Sequence, residues 1–372
     1  MTNKHLGLLA TAAFAGCPVL AAAAGPTLDE ILTNSGITAT GHLSASYTAG
    51  FNNGQLLAYR AFDYDANSFE FNQAALTLSR LPTSGFGGLV TVTAGSDAKV
   101  INGSYGSGGG DFALTQGYLQ YASGSLTVIG GRYVTLAGAE VIDDSQDSNI
   151  SRSLLFTLAE PLVHTGVRAA YTLGSTTLYL GLANSALSGD ALDTDKTKTV
   201  EAGASYASSD KKLGLAAYDY YGVDSGTKTN FLDLVASYQL TDKLQLVGNG
   251  DYARFVGNHV DVDVYGVAGY LNYQFSEAWK GSLRGEYLKT KNLTPGGDSA
   301  GKSDLEEITA TVGYSPVKNV TLLGEFRYDF SGDKNFPDPC AGFPACTGAG
   351  DSLSKSQGNV GVKAIYTFGN AS

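Results

Sequence analysis

Polarity alternates residue by residue along most of this chain, from about residue 37 to residue 368. In the segment 320–330, every second position carries an apolar side chain or glycine: Val320, Leu322, Gly324, Phe326, Tyr328 and Phe330. Thr321, Glu325, Arg327 and Asp329 lie between them, and Leu323 is the exception. Because successive side chains of a β-strand point to opposite faces, the segment predicts a strand with one apolar and one largely charged face.

Breaks rich in Gly, Asp, Ser, Asn and Pro divide the chain into repeats of this unit. Short breaks lie at 81–85, 122–124, 173–175, 208–211, 241–242, 276–277 and 316–317. Longer ones lie at 52–66, 100–110, 135–162, 186–196, 223–227, 256–259, 291–302 and 331–355. The two kinds alternate, as expected of a barrel with short periplasmic turns and long outer loops. Seven short and eight long breaks predict an all-β, transmembrane antiparallel β-barrel of about 16 strands (range 14–18).

Composition agrees with a barrel that faces lipid. Mean hydropathy is only −0.04, because every second residue of such a strand faces away from the lipid. The 48 glycines suit turns and strand interiors, and the 22 tyrosines suit membrane interfaces. Without a helical layer to cover them, the apolar faces must meet hydrocarbon, which a closed barrel allows. We therefore expect an integral protein of the bacterial outer membrane, in contact with its lipid.

The amino terminus predicts an export signal over residues 1–24. Lys4 and His5 precede an apolar stretch that ends in four alanines. A short periplasmic segment, 25–36, follows, and Thr27 is expected to cap a short helix there. The barrel then spans 37–368 and a tail covers 369–372. Lipidation of Cys17 stays open, because Phe14 stands where such a processing site usually has Leu.

Charge and cysteine usage limit the partners. Without the leader, 23 basic residues face 35 acidic ones, a net charge of about −12. This disfavours nucleic acid, which needs clustered Lys and Arg. The excess of acidic residues suits either soluble outer loops or a cation-favouring pore.

Cys340 and Cys346 lie in one loop of an exported chain and predict a disulfide. Zinc is disfavoured because no His or further Cys is near. We expect no metal and no cofactor.

The third long break, 135–162, differs from the others in length and charge. It includes the apolar run Leu154–Phe156, which favours burial over disorder. We predict that this loop folds into the lumen and narrows it, the alternative being a surface loop packed on its neighbours. The charged residues expected at the constriction are Glu140, Asp143, Asp144, Asp147 and Arg152. A calcium or magnesium ion among the three aspartates is a weaker alternative, because their spacing fits no calcium loop.

Charged residues at inward positions of the predicted strands indicate a wet lumen, because unpaired charges in a dry core are costly. The predicted lumen wall includes Arg132, His164, Arg168, Arg284, Glu286, Glu325 and Arg327. For a single pair such as Arg284 and Glu286, an ion pair that stiffens the wall is the simpler interpretation.

Several stretches in order resemble one family. They are SFEFNQAALTLSRLP, VTAGSDAKV, GGRYVTLAGAEVID, NISRSLLF and EPLVHTGVRAAYTLG, all between residues 68 and 174. Together they are similar to the putative β-barrel porin-2 (OmpL-like) family of bacterial outer-membrane proteins. The resemblance implies an outer-membrane diffusion channel. The chain departs from the usual aromatic carboxyl terminus of such barrels, since four residues follow Phe368.

We therefore expect a porin for passive diffusion of small hydrophilic solutes or ions, with a preference for cations. The alternative is a structural or adhesive barrel with a plugged lumen. An enzyme is disfavoured, because the mature chain has three histidines and no Gly-x-Ser-x-Gly or His-Glu-x-x-His motif. A homotrimer is an open expectation, since no surface patch in the sequence identifies a trimer face.

Overall fold

The computed structural model describes residues 27–51, 56–103, 109–186, 196–224, 226–257, 260–291, 302–337 and 353–370. The predicted leader 1–24 with Cys17, the cysteines Cys340 and Cys346, and His259 lie outside these residues.

Sixteen antiparallel strands form one closed barrel, and each pairs with its sequence neighbours, the last also with the first. Their bounds are β1 Thr38–Gly50, β2 Ser68–Arg80, β3 Gly85–Ala94, β4 Phe112–Ser123, β5 Leu126–Val134, β6 Val163–Leu173, β7 Thr176–Ala183, β8 Thr199–Ala207, β9 Leu213–Asp224, β10 Thr227–Thr241, β11 Leu244–Gly257, β12 Val260–Gln274, β13 Trp279–Lys291, β14 Lys302–Val317, β15 Val320–Ser331 and β18 Ser356–Gly369. Between β15 and β18, the two-residue strands β16 (Phe336–Pro337) and β17 (Leu353–Ser354) pair with each other.

This architecture confirms the predicted fold and strand count. In β15, Phe326 and Tyr328 are exposed on the outer face, whereas Glu325, Arg327 and Asp329 are buried on the inner one. The exception in the pattern, Leu323, faces inward and packs with Ile150 and Ile365. Closure leaves no strand edge unpaired, which is what a sheet in hydrocarbon requires.

In two strands, β2 and β12, polar and apolar residues do not alternate regularly, and the reason differs between them. In β2, the pairing with β1 shifts at Ser44 and Ala45, so that the adjacent Asn72 and Gln73 are both buried. This is a β-bulge. In β12, the pairing is regular. The irregularity there arises because Val262 and Val264 face the lumen and pack in an apolar cluster.

Three short helices accompany the barrel. Helix α1 (Leu28–Ser35) precedes β1 and begins at Thr27, whose side chain accepts from the Glu30 N–H, so the predicted cap is confirmed. Helix α2 (Asp97–Gly103) lies between β3 and β4, and α3 (Leu154–Leu158) lies in the long connection after β5. No helix among the described residues has the length and apolarity to cross a bilayer.

The lumen contains chain segments from three outer connections. Phe62 of the first connection, Ile101 of α2 and Phe156 of the third share one buried apolar cluster. The rings of Phe62 and Phe156 lie 5.8 Å apart. The three segments therefore pack against one another inside the barrel and together position the third connection.

Candidate functional site

The connection from Thr135 to Leu162, hereafter the inner loop, crosses the lumen. It leaves the wall at β5, and its contacts reach β13 and β14 on the opposite side and continue through β15 and β18 round to β1. Near its start, the Ala139 N–H donates to Asn249 Oδ1 of β11 at 2.8 Å. Near its middle, Asn149 Nδ2 donates to Thr311 Oγ1 of β14 at 2.7 Å. A loop that contacts opposite walls divides the lumen rather than following one side.

Two wall carboxylates hold the backbone of the inner loop. Glu325 accepts from the N–H groups of Ile150 and Ser151 at 2.6 and 3.0 Å. Glu286 accepts from those of Leu154 and Leu155, both at 2.6 Å. The N–H groups of Leu154 and Leu155 lie in the first turn of α3 and therefore have no acceptor within the helix. The helix dipole also favours a carboxylate at this end. These charged wall residues therefore position the loop rather than face water.

Arg284 is the central cation of the far wall. Its guanidinium donates to Glu140 Oε1 of the inner loop and to Glu307 Oε1 of β14, both at 2.6 Å, and to the Ser151 carbonyl at 2.7 Å. Arg284 and Glu307 are each 1 % exposed. The predicted ion pair between Arg284 and Glu286 is wrong: the acidic partners of Arg284 are Glu307 and Glu140, and Glu286 instead accepts from the loop backbone.

Asp144 anchors the tip of the inner loop to β1 and β18. Its Oδ2 accepts from Lys363 Nζ at 3.0 Å and from Ser44 Oγ at 2.7 Å. Its Oδ1 lies 3.0 Å from His42 Nε2. Burial alone would raise the pKa of Asp144, but Lys363 and His42 hold that pKa well below its usual range. The residue is thus a charged anchor at neutral pH.

Asp143 and Asp147 have different surroundings. Asp143 lies 3.3 Å from His42 Nδ1, and its side chain is 38 % exposed. Asp147 is buried and lies 2.8 Å from Arg152 Nη2. The Arg152 guanidinium also lies over the rings of Phe62 and Phe156, at 5.3 and 5.6 Å from their centres. Of the predicted loop carboxylates, Asp143 alone has substantial exposure.

The expectation of a wet lumen is wrong around the inner loop. Leu154 and Leu155 are fully buried among inward side chains of the wall strands, which include Tyr220, Phe231, Val264, Leu288 and Leu305. Arg284, Arg327 and Asp329 are at most 1 % exposed. Charges are tolerated in this dry region because each of these three is paired with an opposite charge.

The remaining predicted wall residues divide between the two faces. His164 and Arg168 face the lumen, where Arg168 Nε donates to Glu201 Oε2 at 2.8 Å and its guanidinium lies over the Tyr133 ring. Arg132 is predicted wrongly. Tyr133, paired with His164, is the inward residue of β5, so the adjacent Arg132 lies on the outer face and donates to the Leu114 carbonyl.

Lys363 and Arg60 are site residues that the sequence interpretation missed. Lys363 alternates with outward Val362 and Ala364, so its inward direction was available from the pattern. Arg60 lies in the first outer connection, 2.9 Å from Asp329 Oδ2 of β15. No periodicity applies to that connection, so nothing in the sequence indicated its position in the lumen.

Cavities flank the inner loop. One of about 600 Å³ lies between the loop and the wall of β1 to β5. Its lining combines apolar side chains, among them Ile142, Phe156 and Leu162, with threonines and glutamines, which are Thr40, Gln73, Thr77, Thr91, Thr93, Thr115, Gln116 and Thr367. A second of about 320 Å³ lies between the loop and β10 to β12, and a third of about 300 Å³ adjoins β10 to β14. Such walls suit water and small hydrophilic solutes.

The barrel is similar in fold to several solved outer-membrane proteins. OmpT of Vibrio cholerae, in its trimer form, has a TM-score of 0.61 at 13% identity, with 89% of this chain and 99% of that one covered. The channel DcaP of Acinetobacter baumannii has a TM-score of 0.58 at 13% identity, covering 89% and 97%. An anion-selective porin from Comamonas acidovorans has a TM-score of 0.59 at 12% identity, covering 89% and 99%. These likenesses show the fold.

The family comparison covers the whole barrel. No curated protein matches the chain significantly. The family model for putative β-barrel porin-2, OmpL-like, matches residues 36–368. The match agrees with the closed barrel, and an outer-membrane location follows from both. The chain belongs to this family of outer-membrane porins.

Proposed function

We propose that the chain is a passive diffusion channel for small hydrophilic solutes and ions, narrowed by the inner loop. The observation that carries this proposal is the cavity of about 600 Å³ between that loop and the wall of β1 to β5, whose lining includes Glu140, Asp143 and a row of threonines. Apolar packing and ion pairs fill the lumen around Leu154 and Arg284, so the cavity beside β1 to β5 offers solutes a path past the loop. The family and the fold point to a channel rather than to an enzyme.

The charges along this path favour cations. Glu140 and Asp143 line the cavity of about 600 Å³ together with His42, and Glu140 and Asp147 line the one of about 320 Å³ against β10 to β12. Within the described part of the chain, neither cavity is lined by Lys or Arg. Carboxylates at a constriction attract cations and repel anions. Because Glu140 and Asp147 are ion-paired, Asp143 is the residue that we expect to contribute most.

Asp143→Asn should lower the cation-to-anion permeability ratio. One charge about 5 Å from an ion is worth about 0.8 kcal/mol in water, so the ratio is expected to fall roughly two- to fourfold. Asparagine keeps an oxygen that can accept from the Ser145 N–H. The measurement is the reversal potential across a planar bilayer in a salt gradient.

Asp210→Asn provides the matched control, because Asp210 lies exposed in the turn between β8 and β9 and carries the same charge. It should leave the reversal potential unchanged. An equal shift in both variants would mean that net charge alone sets the selectivity. No shift in either would remove Asp143 as the selectivity residue.

A structural barrel with a plugged lumen is the second candidate. The packing of Phe62, Ile101 and Phe156 inside the barrel favours it. Purified protein in a planar bilayer separates the two functions: a porin gives stepwise current, whereas a plugged barrel gives none.

We further propose a homotrimeric assembly, by analogy with OmpT of Vibrio cholerae, which was solved in a trimer form. Native mass spectrometry of detergent-solubilised protein should give three times the protomer mass. A purely monomeric spectrum under conditions that keep other porin trimers intact would contradict this.

A further inference from the structure

His42 lies where the tip of the inner loop meets β1. It points into the lumen, is 2 % exposed and lines the cavity of about 600 Å³. Both ring nitrogens face oxygen atoms. Nε2 lies 2.9 Å from Gln73 Oε1 and 3.0 Å from Asp144 Oδ1, and Nδ1 lies 3.3 Å from Asp143 Oδ1. These neighbours therefore determine which ring nitrogen carries a proton.

Gln73 places a proton on Nε2 of His42. The amide nitrogen of Gln73 donates to Asp97 Oδ2 and to the Ile142 carbonyl, both at 2.8 Å. Because both amide hydrogens are used in this way, the amide oxygen is the atom that faces His42. That oxygen can only accept, so Nε2 of His42 is the donor. Nδ1 is then the nitrogen that gains or loses a proton as the pH changes.

Nδ1 of His42 faces Asp143, the loop carboxylate with substantial exposure. When Nδ1 is protonated, it donates to Asp143 Oδ1 and the two charges compensate each other. Asp143 also has partners within its own loop: the Ser145 N–H and Oγ donate to its Oδ1 at 3.0 and 2.6 Å, and Gln146 Nε2 donates to its Oδ2 at 3.0 Å. These bonds keep Asp143 at the cavity in both charge states of His42.

The other charged groups around His42 come from the inner loop, β18 and α2. Asp144 of the loop is paired with Lys363 of β18 at 3.0 Å, so these two charges cancel. Asp97 of α2 is linked to His42 through one glutamine side chain. The pair of His42 and Asp143 carries no net charge while His42 is protonated and one negative charge once it is neutral. Ionisation of His42 therefore changes the charge at the wall of the solute path.

We propose that His42 is a specificity-determining residue of the channel: at acid pH it compensates Asp143 and weakens the preference for cations, and loss of its proton restores that preference. This inference rests on the proposed channel function and deepens it. The carboxylate of Asp143 attracts cations most strongly when no positive charge lies beside it. Raising the pH through the range in which histidine titrates therefore makes the pore more cation-selective.

The test is the reversal potential of the purified full chain in a planar bilayer under a KCl gradient, at about pH 5 and about pH 9, on either side of the histidine range. The cation-to-anion permeability ratio of the wild type should be roughly two- to fourfold higher at the upper pH. His42→Gln has no ring proton to lose, so it should show the wild-type alkaline ratio at both pH values. Its conductance at the upper pH should equal that of the wild type, whereas a merely structural role of His42 would change conductance at both.

His164→Gln is the matched control. His164 is also a buried histidine that faces the lumen, but its ring stacks on that of Tyr220 at 4.8 Å and it is not part of the lining of the 600 Å³ cavity. This variant should keep the pH dependence. Asp97→Asn should keep it as well, and this comparison is needed because burial raises the pKa of Asp97 to about 6, within the same range.

Three results would overturn the role of His42. They are an equal permeability ratio at both pH values in the wild type, a pH dependence that persists unchanged in His42→Gln, and one that disappears in Asp97→Asn. In each case the bilayer still records stepwise current, so the proposed channel stands. Absence of current at both pH values would instead contradict the channel itself.

Discussion

Arg284→Ala is expected to release the inner loop from the far wall and to raise single-channel conductance. The change removes the guanidinium that joins Glu140 of the loop to Glu307 of β14 and leaves two buried carboxylates without it. Breaking a buried ion pair from one side typically costs about 3–5 kcal/mol. The docked position of the loop is the state that is destabilised, because Glu140 is solvated again when the loop leaves the wall. The measurements are planar-bilayer conductance and amide hydrogen exchange over residues 138–156.

Arg254→Ala is the control for this variant. Arg254 pairs with Asp261 and Asp263 but its side chain is 42 % exposed, so solvent replaces the lost interaction. Its conductance and loop exchange should match the wild type. Unchanged loop exchange in Arg284→Ala would show that the backbone contacts to Glu286 and Glu325 hold the loop without this arginine.

Leu155→Ala is expected to weaken the same loop through packing rather than charge. Leu155 is 0 % exposed and lies in the apolar cluster between α3 and the wall strands. Removing a large buried side chain costs about 2–5 kcal/mol, through lost burial and the cavity left behind. Because a docked loop can open without unfolding the barrel, we expect faster amide exchange in α3 and noisier single-channel current.

Leu180→Ala is the control for Leu155→Ala, because it makes the same truncation of a leucine at a different position in the barrel. Leu180 lies on the outer face of β7, is 64 % exposed and contacts lipid, so its truncation leaves no internal cavity. It should leave α3 exchange and current noise unchanged. If the two variants behave alike, the inner loop is not held in the lumen by apolar packing.

The strand pattern was predictable because the side-chain period of a β-strand is a local property. The outward face of β15 follows from it, as do the closed barrel and its sixteen strands. Arg132 was predicted wrongly because an error of one residue in phase moves a side chain to the other face. The pairing with β6, which the sequence does not specify, set that phase.

The partners inside the lumen were not predictable, because they join segments far apart in the chain. Arg284 meets Glu140 across 144 positions, and Asp144 meets Lys363 across 219. Alternation assigns a residue to the inner face, but it does not say whether water, a loop or an opposite charge lies there. The sequence by itself therefore determined the strands, their lipid-facing sides and the membrane that they require. Only the tertiary structure decided which inward charges are paired and that apolar packing dries the lumen around Leu154 and Leu155. The physical reason is that the period of a strand depends on adjacent residues. The inner loop instead takes its position from contacts with wall strands about a hundred residues or more away in the chain, both before and after it.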